Sequence, residues 1–176
     1  QMIEIESETD LKLGTMKTYI HADSINLDKY STQNTGDNSY EFLLSSMAIP
    51  SYIWKQKSVT EINVNKLISG DILSENNLLL LENTRDVVKV VSLSTNIMGG
   101  DINGAGTFNL NSELDFNFRT QTKLIPVKQI LRVLNIPGDL NGFLNSTISL
   151  SGSAYNANSS NGNGSFKIKN FSVPGK

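Results

Sequence analysis

The sequence predicts a mainly β protein: a strongly curved antiparallel sheet, an open trough or groove, carrying two short helices. Three observations carry that expectation. Apolar and polar residues alternate along most of the chain, as in strands with one apolar and one wet face. Glycines interrupt those runs, where a sheet bends or reverses. Helical period appears in only two brief stretches.

The clearest stretch is Val87 to Leu110, VVKVVSLSTNIMGGDINGAGTFNL. Val88, Val90 and, less strictly, Leu93 and Ile97 are apolar, against Lys89, Ser92, Ser94 and Asn96. Gly99-Gly100 is the expected hinge, because glycine accepts the positive φ that a tight reversal needs. The returning strand carries Ile102, Phe108 and Leu110, with Asn103, Thr107 and Asn109 between them.

The other elements follow in order. Ile3 and Ile5 alternate with Glu4 and Glu6 in a short strand. Met16 to Leu27 is a second, with a bulge or turn expected near Asp23-Ser24, where alternation fails. Ser31 to Asn38 reads as a loop. Tyr40, Leu43, Leu44 and Met47 stand at i, i+3, i+4 and i+7, which predicts a helix over Tyr40–Ala48 that Ser39 can cap and Pro50 stops. Strands are expected at Val59–Leu67, with an irregular step, and at Gly70–Leu73 and Leu78–Leu81. In Leu114–Arg119, Leu114, Phe116 and Phe118 face one way and Asp115, Asn117 and Arg119 the other. Val127, Ile130, Leu131 and Leu134 predict a second helix, Val127–Asn135, with Pro126 in its first turn and Ile136-Pro137-Gly138 ending it. Leu144, Ile148 and Leu150 form the next strand, Ala154–Gly164 reads as an Asn/Ser/Gly loop, and Phe166 and Ile168 then alternate with Lys167 and Lys169. The total is about ten strands joined by hairpins, and so few helices leave parallel crossovers unexpected.

The helical stretches YEFLLSSMAIP and VKQILRVLNIP align without a gap, and Gly-Asp-x-Asn-Gly occurs at both Gly100–Gly104 and Gly138–Gly142. That pattern suggests two related units within one domain spanning residues 1–176.

Composition narrows the function classes. A net charge of −2 supplies no basic field for nucleic acid or an anionic membrane. Without cysteine there are no disulfides, thiolate metal sites or cysteine nucleophiles. The acidic start, QMIEIESETD, is not a signal peptide, and no run approaches a membrane span. The chain reads as an excised part of a longer protein.

Candidate chemistry is sparse. His21 is the lone histidine and lies on the polar side of its strand, without the neighbours that a nucleophile's base requires. Asp101-x-Asn103-Gly104 lacks the glycine and glutamate positions of a calcium loop, so Asn103-Gly104 reads as a hairpin turn. No glycine-rich loop leads into a long helix to cradle phosphate. Asn145-Ser-Thr, Asn158-Ser-Ser and Asn170-Phe-Ser match the glycosylation pattern, a chance event in so Asn- and Ser-rich a chain. Trp54 is a single aromatic platform. The expectation is a protein that is not an enzyme and holds no cofactor or metal.

HADSINLDKY, at His21–Tyr30, resembles the Leu-Asn-Leu-Asp-x-Tyr phrase of the AsmA family of bacterial envelope proteins. Later phrases are similar too, and stand in the family's order: Leu43-Leu44 in a helix, Met98-Gly99-Gly100, Gly104 to Leu110, Ile130-Leu131, Leu140 to Leu144, and Gly162 to Asn170. The likeness covers nearly the whole chain. It departs at Phe171-Ser172-Val173, where the family usually has a glycine soon after the Asn or Asp. The chain resembles the C-terminal AsmA-like region, with relatives such as TamB and YhdP.

The resemblance implies a periplasmic module, anchored to the bacterial inner membrane by an upstream segment. It also implies a part in outer-membrane assembly and phospholipid transport between envelope membranes, with acyl chains and other envelope proteins as partners. Each CH₂ exposed to water costs about 0.8 kcal/mol, so a sixteen-carbon tail faces a barrier of order 12 kcal/mol that an apolar groove would remove. The expected lipid-contacting residues are Ile97, Phe108, Leu110, Leu114, Phe116, Phe118, Ile148 and Phe166, on one concave face. The same faces could instead pack together into a dry core with the helices as lids. A lipid-free assembly scaffold, or an all-β adhesin or carbohydrate-binding module, would have a similar composition.

Overall fold

The alternation resolves into long strands. A computed structural model describes residues 2–29, 57–110, 114–153 and 156–173. The elements are β1 (Ile3–Asp10), β2 (Thr15–Asn26), a 3-10 turn (Leu27–Lys29), β3 (Lys57–Ser69), β4 (Ile72–Thr84) and β5 (Val87–Ile97). They continue with β6 (Gly100–Asn109), β7 (Asp115–Pro126), helix α1 (Val127–Val133), β8 (Asn141–Ser153) and β9 (Asn156–Ser172). The nine strands form one sheet whose spatial order follows the chain, β1 to β9. The expected helix at Tyr40–Ala48, the loop at Ser31–Asn38 and Trp54 lie outside the described residues.

The mainly β class holds, and every neighbouring pair but one is antiparallel. The exception corrects the expectation of no parallel crossover: β2 and β3 run parallel, from Thr15↔Lys57 to Asn26↔Ile68. The expected strong curvature is also corrected, because the sheet is not strongly curled. Gly104 and Gly106 lie within a strand, and a large side chain of the neighbouring strand covers them. Irregularity is confined to local register shifts, such as Thr122/Ile125 between β7 and β8. There Leu124 takes φ +58°, and its N–H donates to Asn145 Oδ1 at 2.9 Å.

Several expected elements move. The hinge is one residue early: Ile97 pairs with Gly100, so Met98 (φ +54°) and Gly99 (φ +79°) make the two-residue turn. Both central residues have positive φ, as a turn matched to strand twist requires. Asn103-Gly104 is not a turn but lies mid-strand, Asn103 opposite Ser94 and Gly104 opposite Leu93. Gly70–Leu73 and Leu78–Leu81 belong to a single region, since Gly70-Asp71 is a turn and β4 runs on from Ile72. Ala154–Gly164 is not a loop: β9 begins at Asn156, and Gly162 and Gly164 pair with Leu150 and Ile148. Its Asn and Ser residues sit between small inner positions, which gives a strand the composition of a loop. At Asp23 the ladder to β3 skips one rung and resumes in the same register, with no bulge between these strands. The two Gly-Asp-x-Asn-Gly phrases differ in setting, one within β6 and the other bridging from α1 into β8.

Helix α1 is shorter than expected, with Pro126 as its N-cap residue at φ −64° and ψ 123°. Its end is set by Asn135 at φ +52° rather than by the following Pro-Gly. Asn135 N–H donates to the Arg132 carbonyl at 3.1 Å and Ile136 N–H to the Leu131 carbonyl at 2.9 Å. This pair of bonds satisfies carbonyls that a helix end leaves open. Val127 is buried where α1 packs on β7 and β8, whereas Leu134 is exposed.

Candidate functional site

Residues opposite each other in a ladder project from the same face of a sheet. Phe108 is opposite Phe116, and Phe118 is opposite both Gly106 and Leu150. Thr120 is opposite Ile148, Ile148 is opposite Gly164, and Ser146 is opposite Phe166. Ile97 is opposite Gly100, two residues before Ile102 on the same strand. Ile97, Phe108, Phe116, Phe118, Ile148 and Phe166 therefore share one face.

Leu110 and Leu114 do not join that ladder. Leu110 follows the end of β6, where its N–H donates to the Asp86 carbonyl at 2.6 Å. Leu114 precedes β7 at φ +48°, so strand parity no longer fixes where it points. Both are only half-buried.

The three phenylalanines form the centre of the shared face. Phe108 lies 6.5 Å from Phe116 and 6.4 Å from Phe118, centroid to centroid, with rings tilted by 33° and 38°. Such separations lie within the range of favourable aromatic pairs. Around them the register adds residues outside the expected lipid-contacting set: Val88 and Val90 on β5, Leu79 and Leu81 on β4, Ile62 on β3 and Ile20 on β2. The apolar face thus continues across the sheet to Ile3 and Ile5 on β1. Leu150, Leu144 and Ile168 extend it on β8 and β9.

No second sheet packs on this face among the described residues. Ala22, Val64, Val88, Val90 and Ile125 are its buried apolar positions. Phe108 is 38% exposed, Ile148 40%, Leu150 48% and Phe166 79%, so much of the surface stays open beyond the helix.

The opposite face is more polar, although Tyr19, Val59, Leu78, Leu80 and Phe143 also lie on it. Glu4, Glu6, Glu8 and Asp10 line it on β1, Asn117 and Arg119 on β7, and Lys167 and Lys169 on β9. His21 belongs here too, 3.8 Å from Asp23. An open hollow of about 590 Å³ lies on this polar side, lined by Gln121, Lys123, Asn145, Thr147, Lys167 and Lys169, with Phe166 at its border. The apolar candidates thus share a broad surface, not the expected concave trough.

Gly104, read from the sequence as part of a hairpin turn, and Gly162 and Gly164, read as loop, are positions on this face. Gly104 and Gly106 have the parity of Phe108, and Gly162 and Gly164 have that of Phe166. The Gly-x-Gly spacing was the available sign that these were inner-face positions. A scan against models of known protein families, a search of curated proteins and a search of solved structures each give no match.

Proposed function

We propose that this chain is an AsmA-like module of the bacterial envelope, positioned in the periplasm by an inner-membrane anchor elsewhere in the protein. Its apolar face accepts phospholipid acyl chains during outer-membrane assembly and transport between envelope membranes. It performs no covalent chemistry. One observation carries the reading: the apolar face runs across all nine strands and remains open at Phe108, Ile148, Leu150 and Phe166. The resemblance at His21–Tyr30 and the phrases after it support it. An acyl chain laid on such a face is shielded from water without any bond being made.

The test is loading with a photo-crosslinkable phospholipid, alongside mass spectrometry of organic extracts. Phe116→Asp should lose most of the loading that Asn117→Asp retains, with melting temperatures showing that each variant folds. A folded Phe116→Asp variant that loads like wild type would overturn the reading. A second reading, an assembly scaffold that carries no lipid, is favoured by the sheet's lack of strong curl, which leaves an acyl chain covered on one side only.

A further inference from the structure

We propose that the two edges of the sheet recognise one another between copies of this chain, β9 of one copy pairing antiparallel with β1 of the next. Both edge strands are exposed along their described length, and among the described residues neither pairs on its outer side, a template for another strand. Their charges are opposite: Glu4, Glu6, Glu8 and Asp10 lie on the polar face of β1, and Lys167 and Lys169 lie on the same face of β9. None of Glu4, Glu6, Glu8, Lys167 or Lys169 makes an ion pair among the described residues.

This pattern sorts the possible pairings. Two β1 edges would bring carboxylates against carboxylates, and two β9 edges would bring lysines against lysines. Only β1 against β9 sets opposite charges together. Strand direction agrees. In a sheet of nine strands, strict antiparallel order would make the outer two parallel; the single parallel pair, β2–β3, reverses this. A translated copy with its apolar face on the same side therefore meets β9 with an antiparallel β1, the more stable ladder. A register that sets Lys167 against Glu6 and Lys169 against Glu4 also sets Ile168 against Ile5, apolar beside apolar. The contact is head-to-tail, so it continues beyond a dimer unless the series closes.

Sedimentation velocity of the full chain tests this without reference to lipid. Wild type should associate beyond the dimer with rising concentration, and salt should weaken the association. The Glu4→Lys/Glu6→Lys/Glu8→Lys variant has two basic edges, and Lys167→Glu/Lys169→Glu has two acidic ones. Each alone should associate on the order of tenfold more weakly or not at all, and their equimolar mixture should reassociate. Circular dichroism melts show that both variants are folded. A wild type that stays monomeric throughout overturns the proposal, as does a mixture of folded variants that fails to reassociate. Association that survives both swaps and strengthens with salt assigns the contact to the apolar face and also overturns it.

Discussion

The ring of Phe118 on β7 covers the backbone of Gly106 on β6. A β-carbon added to Gly106 would overlap Phe118 Cδ2 and the Asn117 carbonyl oxygen, and one added to Gly104 would lie 3.0 Å from Phe118 Cζ. Leu150 and Ile148 cover Gly162 and Gly164 in the same way, with added β-carbons 2.9 Å from Leu150 Cδ2 and 3.4 Å from Ile148 Cγ1. Backbone closes in as well: an added β-carbon would overlap the Asn117 carbonyl at Gly106 and lie 3.0 Å from the Thr147 carbonyl at Gly164. Large residues thereby lie low across the face instead of standing upright.

Gly106→Val should destabilise the fold by about 1–3 kcal/mol, because the Asn117 carbonyl on the adjacent backbone cannot move away as a side chain could. Urea denaturation measures the loss. Combining the change with Phe118→Ala should give less than the sum of the two single effects, since the overlap with the ring is then gone.

At the β5–β6 turn, Gly99 and Gly100 should fail for different reasons. Gly100→Val places a β-carbon 2.6 Å from Ile125 Cδ1 and 2.7 Å from the Leu124 carbonyl carbon and oxygen. Gly99→Val meets open space, but a β-branched residue is strained at φ +79°. Each should cost more than about 1 kcal/mol in a thermal or urea melt. Melting with wild type by both variants would place the reversal elsewhere.

Asn77 ties three strands together. Its Oδ1 accepts from Ser74 Oγ and Thr95 Oγ1, each at 2.7 Å, and its Nδ2 donates to the Val64 carbonyl at 2.9 Å. Asn77→Ala should cost roughly 1–3 kcal/mol, because it removes these partners together beside a register shift. Chemical denaturation gives the size of the effect.

Asn135 offers a change in the stabilising direction. Glycine adopts its left-handed backbone with less strain, so Asn135→Gly should raise stability by roughly 0.5 kcal/mol, and Asn135→Val should lower it by about 1–2 kcal/mol. Melting temperatures of the pair should therefore move in opposite directions.

Strand identity was legible where charged and aromatic residues alternate without a gap. Asp115-Phe116-Asn117-Phe118-Arg119 and Phe166-Lys167-Ile168-Lys169 each fix their facing from composition alone, and the structure places both phenylalanine sets on one face. Strand ends were harder to read. Leu110 and Leu114 have the right parity but lie outside β6 and β7, and parity means nothing once the backbone leaves the strand. Asn103-Gly104 has turn chemistry, yet it lies within a strand, where a β-carbon on Gly104 would stand 3.0 Å from the tip of the Phe118 ring. The parallel β2–β3 pair depends on a connection through residues 30–56, and no local residue pattern announces it. Curvature was misread because it is a sum of twist and register over the whole sheet and belongs to no single glycine.

Because spatial order follows chain order, seven successive strands, β3 to β9, can assemble by adding one hairpin arm at a time. Each such step except β7 to β8, where α1 intervenes, closes a short loop, which favours rapid growth from any hairpin already formed. The β1–β2 hairpin is different: it must dock across the long connection to β3, at the one parallel ladder. Amide exchange should therefore be fastest in β1 and in the outer half of β9 and slowest near β5 to β7. The molecule behaves as a zipper with a separately hinged tab, losing its outermost strands while the middle stays closed.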